Sequence, residues 1–273
     1  MNVAFVFPRI SFLWTGTSSL VAGQRCVLRQ PSSRSCTALS PPWSSSLESL
    51  PASESPRLYH IKFYSSSRVL GLIEELGIKD KVNTRVIDAA KLRLDPELTQ
   101  RNPTKRLPYL ELGDGLDGVI ESGAIIQFLL EMYDTNHTLS FPPLTAGDSK
   151  DQVRKRAQFL QFLYFGPSTA YHTIMPIFFQ TFGVPHDKRN QAEIQRLAGD
   201  WDRLVVGVLV KQLKESGGPY LMGPKFTAVD IAISFDLMTA SFTGVPSLLA
   251  DPLLAEYFKL ISSREVFKNL YSP

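Results

Sequence analysis

The residues whose types and spacing could do chemistry lie mainly between Asn102 and Met132. That stretch reads Asn-Pro-Thr-Lys-Arg-Leu-Pro-Tyr-Leu-Glu, then a Gly113-Asp114-Gly115 turn, then Ile120-Glu121-Ser122-Gly123-Ala124-Ile125-Ile126. Ser122 falls where a helix N-cap belongs, directly ahead of an apolar run. The first N–H groups of a helix lack intrahelical acceptors and carry a partial positive charge, so a carboxylate placed there gains hydrogen bonds and dipole attraction together. Glu121 adds an acceptor for an ammonium group, and the pair suits a small anionic peptide. Pro108 stands just before strand residues, where a cis peptide bond would turn the Leu107 backbone toward a ligand's main chain. Thiol chemistry is excluded from the folded part, because the two cysteines, Cys26 and Cys36, both precede residue 58. The four histidines, His60, His137, His172 and His186, show no metal-ligand spacing, and no metal is expected.

These residues need elements to position them. Residues 58–64 read as a strand, 68–76 as a helix stopped at Gly77, and 82–87 as a second strand. The apolar runs 107–112 and 118–120 flank the glycine turn as a hairpin and lead into the Ser122 helix. Strand-helix-strand followed by a hairpin and a helix is a thioredoxin-like plan. Residues 134–147, with Pro142-Pro143, are polar and interrupt the pattern. Everything beyond has helical length and spacing. In residues 148–165, Val153, Ala157, Leu160 and Leu163 recur near helical periodicity, with Arg154, Lys155 and Arg156 on the solvated side. Gly166-Pro167 and Pro176 should break or kink the helical pair that follows. Thr227 and Asp230 have the spacing of a capping box, with Phe226 and Ile231 as a hydrophobic staple, so that losing Asp230 should cost about 1 kcal/mol or more. The expected organisation is an α/β thioredoxin-like domain over 58–137, a linker over 138–147 and an all-α domain over 148–273.

The first 57 residues belong to neither domain. They hold five arginines, no lysine, only Glu48 and Glu54 as acids, and 13 serines, the composition of a transit peptide. Subtracting those five bases and two acids from the chain's 29 and 26 leaves 24 of each, so the pI near 8.8 reflects leader charge and not a nucleic-acid surface. The most apolar stretch, residues 3–14, is broken by Pro8 and Arg9 and is too short to span a bilayer, so stable membrane insertion is not expected. It could instead be the apolar part of a secretory signal ending near Val21-Ala22-Gly23, the first half of a two-part plastid address. The expected destination is an organelle, mitochondrion or plastid, with the cytoplasm as the alternative.

The arrangement Asn-Pro-x-x-[Lys/Arg]-hydrophobic-Pro-x-Leu followed by Glu-Ser-x-Ala-Ile resembles the glutathione-binding half of the glutathione transferases. The likeness runs from about residue 58 to the C-terminus. Residues 63–77 resemble the S-R-x-x-R-[VIL]-L-W-L-L-E-E-L-G pattern of a group of fungal and bacterial members, with Arg68, Val69, Leu70, Glu74, Glu75 and Leu76 matching. The family serine falls on Tyr64, its neighbouring arginine on Ser65 and its tryptophan on Gly71. The run 226–235 resembles the buried capping motif of the same family. The resemblance implies a transferase that uses glutathione as co-substrate and conjugates its thiolate to a hydrophobic electrophile, with glutathione-dependent peroxide reduction as a further activity. It implies Arg106, or Lys105, at the glycine carboxylate, Leu107 pairing its backbone with the cysteinyl unit, and Glu121 with Ser122 at the γ-glutamyl end. It places the thiol-activating hydroxyl on Ser65 or Tyr64, with Ser66 behind them. It also implies an electrophile pocket for which Tyr164, Tyr171 and Met175 are candidates, and a homodimer with no nucleic-acid partner. The competing expectation is a noncatalytic module of this fold that binds glutathione, hydrophobic ligands or a protein.

Overall fold

The computed structural model describes residues 55–271, apart from Pro103, residues 114–117 and the side chains of Lys91, Arg93 and Leu94. Residues 1–54, on which the targeting expectation mostly rests, and the Asp114-Gly115 part of the hairpin turn lie outside the described residues, whereas Arg57, expected to precede the first domain, pairs within its first strand.

Four strands make one sheet in the order β2-β1-β3-β4, formed by β1 (Arg57–His60), β2 (Asn83–Val86), β3 (Tyr109–Glu111) and β4 (Val119–Ile120). β1 runs parallel to β2 with Leu58 beside Thr84, and antiparallel to β3 with Leu58 beside Leu110. β3 and β4 pair antiparallel with Tyr109 beside Ile120. Alternation along the strands sends Leu58 and Leu110 into the main core, while Tyr59 and Tyr109 join Ile61, Ile87 and Leu98 on the opposite face. α1 (Ser66–Glu75) and α3 (Ser122–Tyr133) contribute to the main core, and α2 (Pro96–Arg101), started by Asp95 accepting from the Leu98 N–H at 2.9 Å, supplies Leu98 to the other face. This is a thioredoxin-like mixed sheet followed by a helical half, as the sequence implies.

The local differences have physical causes. β1 stops at His60 and α1 starts at Ser66, because the Ser66 hydroxyl takes the Ile61 N–H (3.2 Å) and donates to the Ile61 carbonyl (3.2 Å), curling the chain early. α4 (Lys150–Phe165) begins after a Ser149–Gln152 capping box and buries Phe159, Phe162 and Leu163, while Val153 is 44% exposed. Arg156 is half-buried and donates to the Phe141 carbonyl at 2.6 Å. Pro167 and Pro176 do not break the chain. Wide π-helical turns, Gly166–Ala170 and Phe179–Gly183, carry it into and out of α5 (Tyr171–Phe178). A Cβ on Gly166 would lie 2.5 Å from the Ala232 carbonyl, so the α4–α5 join needs glycine to pass α8.

α6 (Gln191–Trp201) and α7 (Gly207–Ser216) lead to α8 (Ala228–Phe242), which is buried along nearly its whole length, and α9 (Pro252–Ser262) and α10 (Glu265–Tyr271) complete the helical half. Arg68 on α1 is fully buried and donates to the Ala232 carbonyl (2.7 Å) and to Asp236 (3.1 Å), both on α8. Burial pushes Asp236 up to about 7 even against the pull of the Arg68 guanidinium. Gly71 is explained here too. A Cβ at that position would stand 3.2 Å from Leu270 and 3.5 Å from Ile231, so the seat of α1 against α10 and α8 leaves no room for a large side chain there.

Candidate functional site

Three loops of the sheet half and one helical turn enclose a cavity of about 290 Å³. The sheet half contributes Ser65, Thr104, Arg106, Leu107, Pro108, Ile120, Glu121 and Ser122; the helical half contributes Pro167, Tyr171 and His172, with the buried Arg68 behind the wall. Each of the three loops holds one non-glycine residue at positive φ: Phe63 (62°), Lys105 (52°) and Glu121 (71°). Such conformations cost about 1–3 kcal/mol each and persist where surrounding structure imposes them.

The 102–106 turn is built on Asn102, which is fully buried. Its amide nitrogen donates to the Arg106 carbonyl (2.6 Å), and its amide oxygen accepts from the Thr104 N–H (3.1 Å) and hydroxyl (2.7 Å). That clamp presents Arg106 and Thr104 to the cavity and leaves Lys105 outside its lining. The Leu107–Pro108 peptide bond is cis, and the Leu107 carbonyl accepts from the Ser65 hydroxyl at 3.3 Å.

At the start of α3 the N-cap is Glu121, not Ser122, which is the first helical residue. The left-handed turn at Glu121 shifts the helix start by one position. No side chain caps this end, and the Ser122 hydroxyl makes no hydrogen bond to another described residue. First-turn N–H groups therefore border the cavity with no side-chain acceptor, beside an exposed Glu121 carboxylate. Such an end can take a carboxylate, and Glu121 an ammonium group.

The four consecutive hydroxyls have four different environments. Tyr64 packs against the Tyr59–Tyr109 cluster, burial raises its pKa, and it is not among the lining residues. Ser65 lines the cavity. Ser66 is fully buried and engaged by Ile61 and by His60 Nδ1 at 2.9 Å, and Ser67 is buried without a partner for its hydroxyl. Burial holds His60 down to about 4.

Of the three electrophile-pocket candidates only Tyr171 lines the cavity. Tyr164 is 40% exposed and donates to Gln127 at 2.8 Å, and Met175 packs on the main core. Burial raises the Tyr171 pKa, opposed by the nearby Arg68 and Arg106 charges. His172 Nδ1–H donates to the Ser168 carbonyl at 2.8 Å, which leaves Nε2 as the acceptor of the neutral ring. Thr104, Ile120, Pro167 and His172 were not anticipated; the Asn-Pro turn pointed toward Thr104, but nothing in the spacing of 167–172 set those residues apart. Among the described residues no group of His, Cys, Asp or Glu is arranged to hold a metal ion, and no helix is long and apolar enough to cross a membrane.

Comparison with known proteins adds to this geometry. The family model described as glutathione S-transferase, N-terminal domain, matches residues 58–137. The glutathione S-transferase-like protein OpS6 of Beauveria bassiana (strain ARSEF 2860) is 30% identical over 177 residues, which cover 64% of this chain and 75% of that protein. Among solved structures, glutathione transferase URE2P6 of Phanerochaete chrysosporium, in complex with oxidized glutathione, is 25% identical with a TM-score of 0.64, over 80% of this chain and 95% of that one. A glutathione transferase homolog of Lodderomyces elongisporus shares the fold at 21% identity and a TM-score of 0.65, over 80% of this chain and 97% of that one.

Proposed function

The chain belongs to the glutathione S-transferase family, and from that premise we propose that it binds glutathione in the cavity between its two halves and conjugates the sulfur to hydrophobic electrophiles. The observation that carries this reading is the uncapped start of α3, where N–H groups, Ser122 and the Glu121 carboxylate border one cavity with Arg106. Together they match a molecule with an amino-acid head at one end and a carboxylate at the other. The oxidized glutathione bound by URE2P6 supports the ligand class. Reduction of peroxides by the same thiolate, pairing as a homodimer and delivery to a mitochondrion or plastid belong to the proposal by resemblance and composition.

Catalysis requires the bound thiol to ionise near neutrality. A fall of about two units from an ordinary thiol pKa corresponds to about 2.7 kcal/mol of differential stabilisation. One or two hydrogen bonds to the anion suffice, at about 1.5–3 kcal/mol each. A noncatalytic binding module is the second reading, and it is favoured by the engagement of Ser65 with the Leu107 carbonyl and of Ser66 with Ile61 and His60, and by Tyr64 and Ser67 lying outside the cavity lining. Titration calorimetry with glutathione, with the thiolate ultraviolet band recorded on the complex, separates the two. The expected result is binding with a thiolate band at pH 7, and an affinity loss of about tenfold in Ser122→Ala and in Glu121→Ala. Binding without the band leaves only the module; undiminished binding in both variants removes the assigned site.

A further inference from the structure

Granting that the cavity holds glutathione, we propose that the hydroxyl stabilising its sulfur comes from the helical half, from Tyr171, and that Ser65 is a positioning residue for the Leu107 carbonyl. Tyr64 and Ser67 do not line the cavity, and Ser66 is buried among Ile61 and His60. Ser65 does line it, but its one proton points at the Leu107 oxygen, 3.3 Å away. A serine that donates to sulfur would have to release the carbonyl beside which the cysteinyl backbone is expected to pair.

Tyr171 is different on each count. It lines the cavity from the helical half, and its hydroxyl makes no hydrogen bond to another described residue. Its ring is held in place by stacking on Phe235, with centroids 6.2 Å apart, and Phe235 in turn lies 5.0 Å beneath the Arg68 guanidinium. Arg68 is fixed by Ala232 and Asp236. A rigid ring with an uncommitted O–H, backed by two cations, is suited to donate to an anion. Burial keeps the phenol protonated at neutral pH, which a donor requires.

In the step itself the sulfur–hydrogen bond of glutathione breaks and its proton passes to water, while the electron pair stays on sulfur and accepts the Tyr171 hydrogen bond. That pair then forms the carbon–sulfur bond as the electrophile's leaving group departs with its own electrons. With the peptide backbone along the 104–108 and 120–122 loops, as the proposed function has it, the cysteinyl side chain must cross to the helical wall for this contact.

The test compares Tyr171→Phe with Ser65→Ala in the full chain, each checked for an unchanged thermal melt. Three readouts are taken: the glutathione dissociation constant, the thiolate ultraviolet band of the complex and the pH profile of kcat/KM with a chlorodinitrobenzene probe. Tyr171→Phe retains its ring and is expected to bind glutathione within about threefold of wild type, to lose the band at pH 7, and to shift the acidic limb of the profile upward by about 1–2 units. Ser65→Ala is expected to keep the band and the limb while binding about tenfold more weakly. A Tyr171→Phe protein that keeps both band and limb overturns the proposal, as does a Ser65→Ala protein that loses them. Wild-type protein that binds glutathione with no thiolate band overturns it as well. Wild-type protein that binds no glutathione overturns the functional reading itself, so the two failures are told apart.

Discussion

At the start of α8 the carboxylate of Asp230 is wholly inside the protein. It accepts the Thr227 N–H (2.8 Å) and hydroxyl (3.2 Å), the Leu221 N–H (3.1 Å) and the Tyr257 hydroxyl (2.8 Å), and the Ala228 N–H is taken by the Leu139 carbonyl at 2.8 Å. At the start of α3 the same two chemistries, an acid and a hydroxyl, meet no such partners: Glu121 is exposed, and no side chain caps the helix. In sequence the two sites look alike, each an acid and a hydroxyl ahead of an apolar run. What separates them is whether the donors of the first turn are already satisfied. A satisfied helix start holds the fold together; an unsatisfied one facing a cavity has donors left for a ligand.

The contrast breaks most visibly at Asp230. Asp230→Ala leaves four buried donors without their acceptor, at roughly 1–3 kcal/mol each before relaxation and water entry, and the expected loss is about 4 kcal/mol. Urea denaturation measures it, and glutathione affinity of the folded fraction should not change. A loss below about 1 kcal/mol would show that water replaces the carboxylate and that the start of α8 is not sealed.

The start of α1 falls between these cases and gives the next largest effect. Ser66 closes the turn with His60 behind it, and burial holds His60 at about 4 instead of its ordinary 6.5. A depressed histidine contributes stability that is complete above 6.5 and is lost as pH falls toward 4, because the unfolded chain takes up the proton first. The gap corresponds to about 3 kcal/mol. Asp236, raised by burial, acts with the opposite sign over part of this window, since its folded form favours the proton. His60→Asn removes one effect and leaves the other, so the stability difference between variant and wild type should narrow by about 3 kcal/mol from pH 7 to pH 4. A difference independent of pH would mean that His60 titrates normally.

The sheet half was legible because its signals are local. Gly77 ends α1 at φ 67°, and in the helical half the equally local pair Thr227 and Asp230 starts α8 where their spacing says it should. Residues fixed by distant partners were less legible. Arg68 matches a motif position, yet its partners Ala232 and Asp236 lie more than 160 residues away, and nothing local announces a buried ion pair. Asp134 reads as the first residue of a polar linker but is 3% exposed, accepting from Thr138 and Leu139 to turn the chain after α3. In α4 the aliphatic periodicity suggested a stripe through Val153 and Ala157, whereas the larger Phe159 and Phe162 take the core and rotate the helix. Ser65, Arg106, Leu107, Pro108, Glu121 and Ser122 on the cavity's sheet wall and Tyr171 on its helical wall could be anticipated, while Pro167 and His172 could not, because they gain their position from a π-helical turn packed on α8.

The smallest effect tests the open helix start from the other side. Glu121 adopts φ 71° and ψ 115°, a conformation that disfavours any side chain with a Cβ. If folding alone had shaped this position, glycine would serve it better, as glycine does at Gly77 and Gly217. Glu121→Gly should relieve the strain against the entropy that glycine adds to the unfolded chain, for a net gain of about 1 kcal/mol in urea denaturation. It should at the same time lose the carboxylate that faces the cavity and bind glutathione about tenfold more weakly. The Glu121→Ala protein serves as the control, since it loses the carboxylate but keeps the strain. A more stable protein that binds less well is the signature of a residue retained for its ligand. Glu121→Gly that is no more stable than Glu121→Ala would show that the loop, and not the binding site, dictates the unusual backbone.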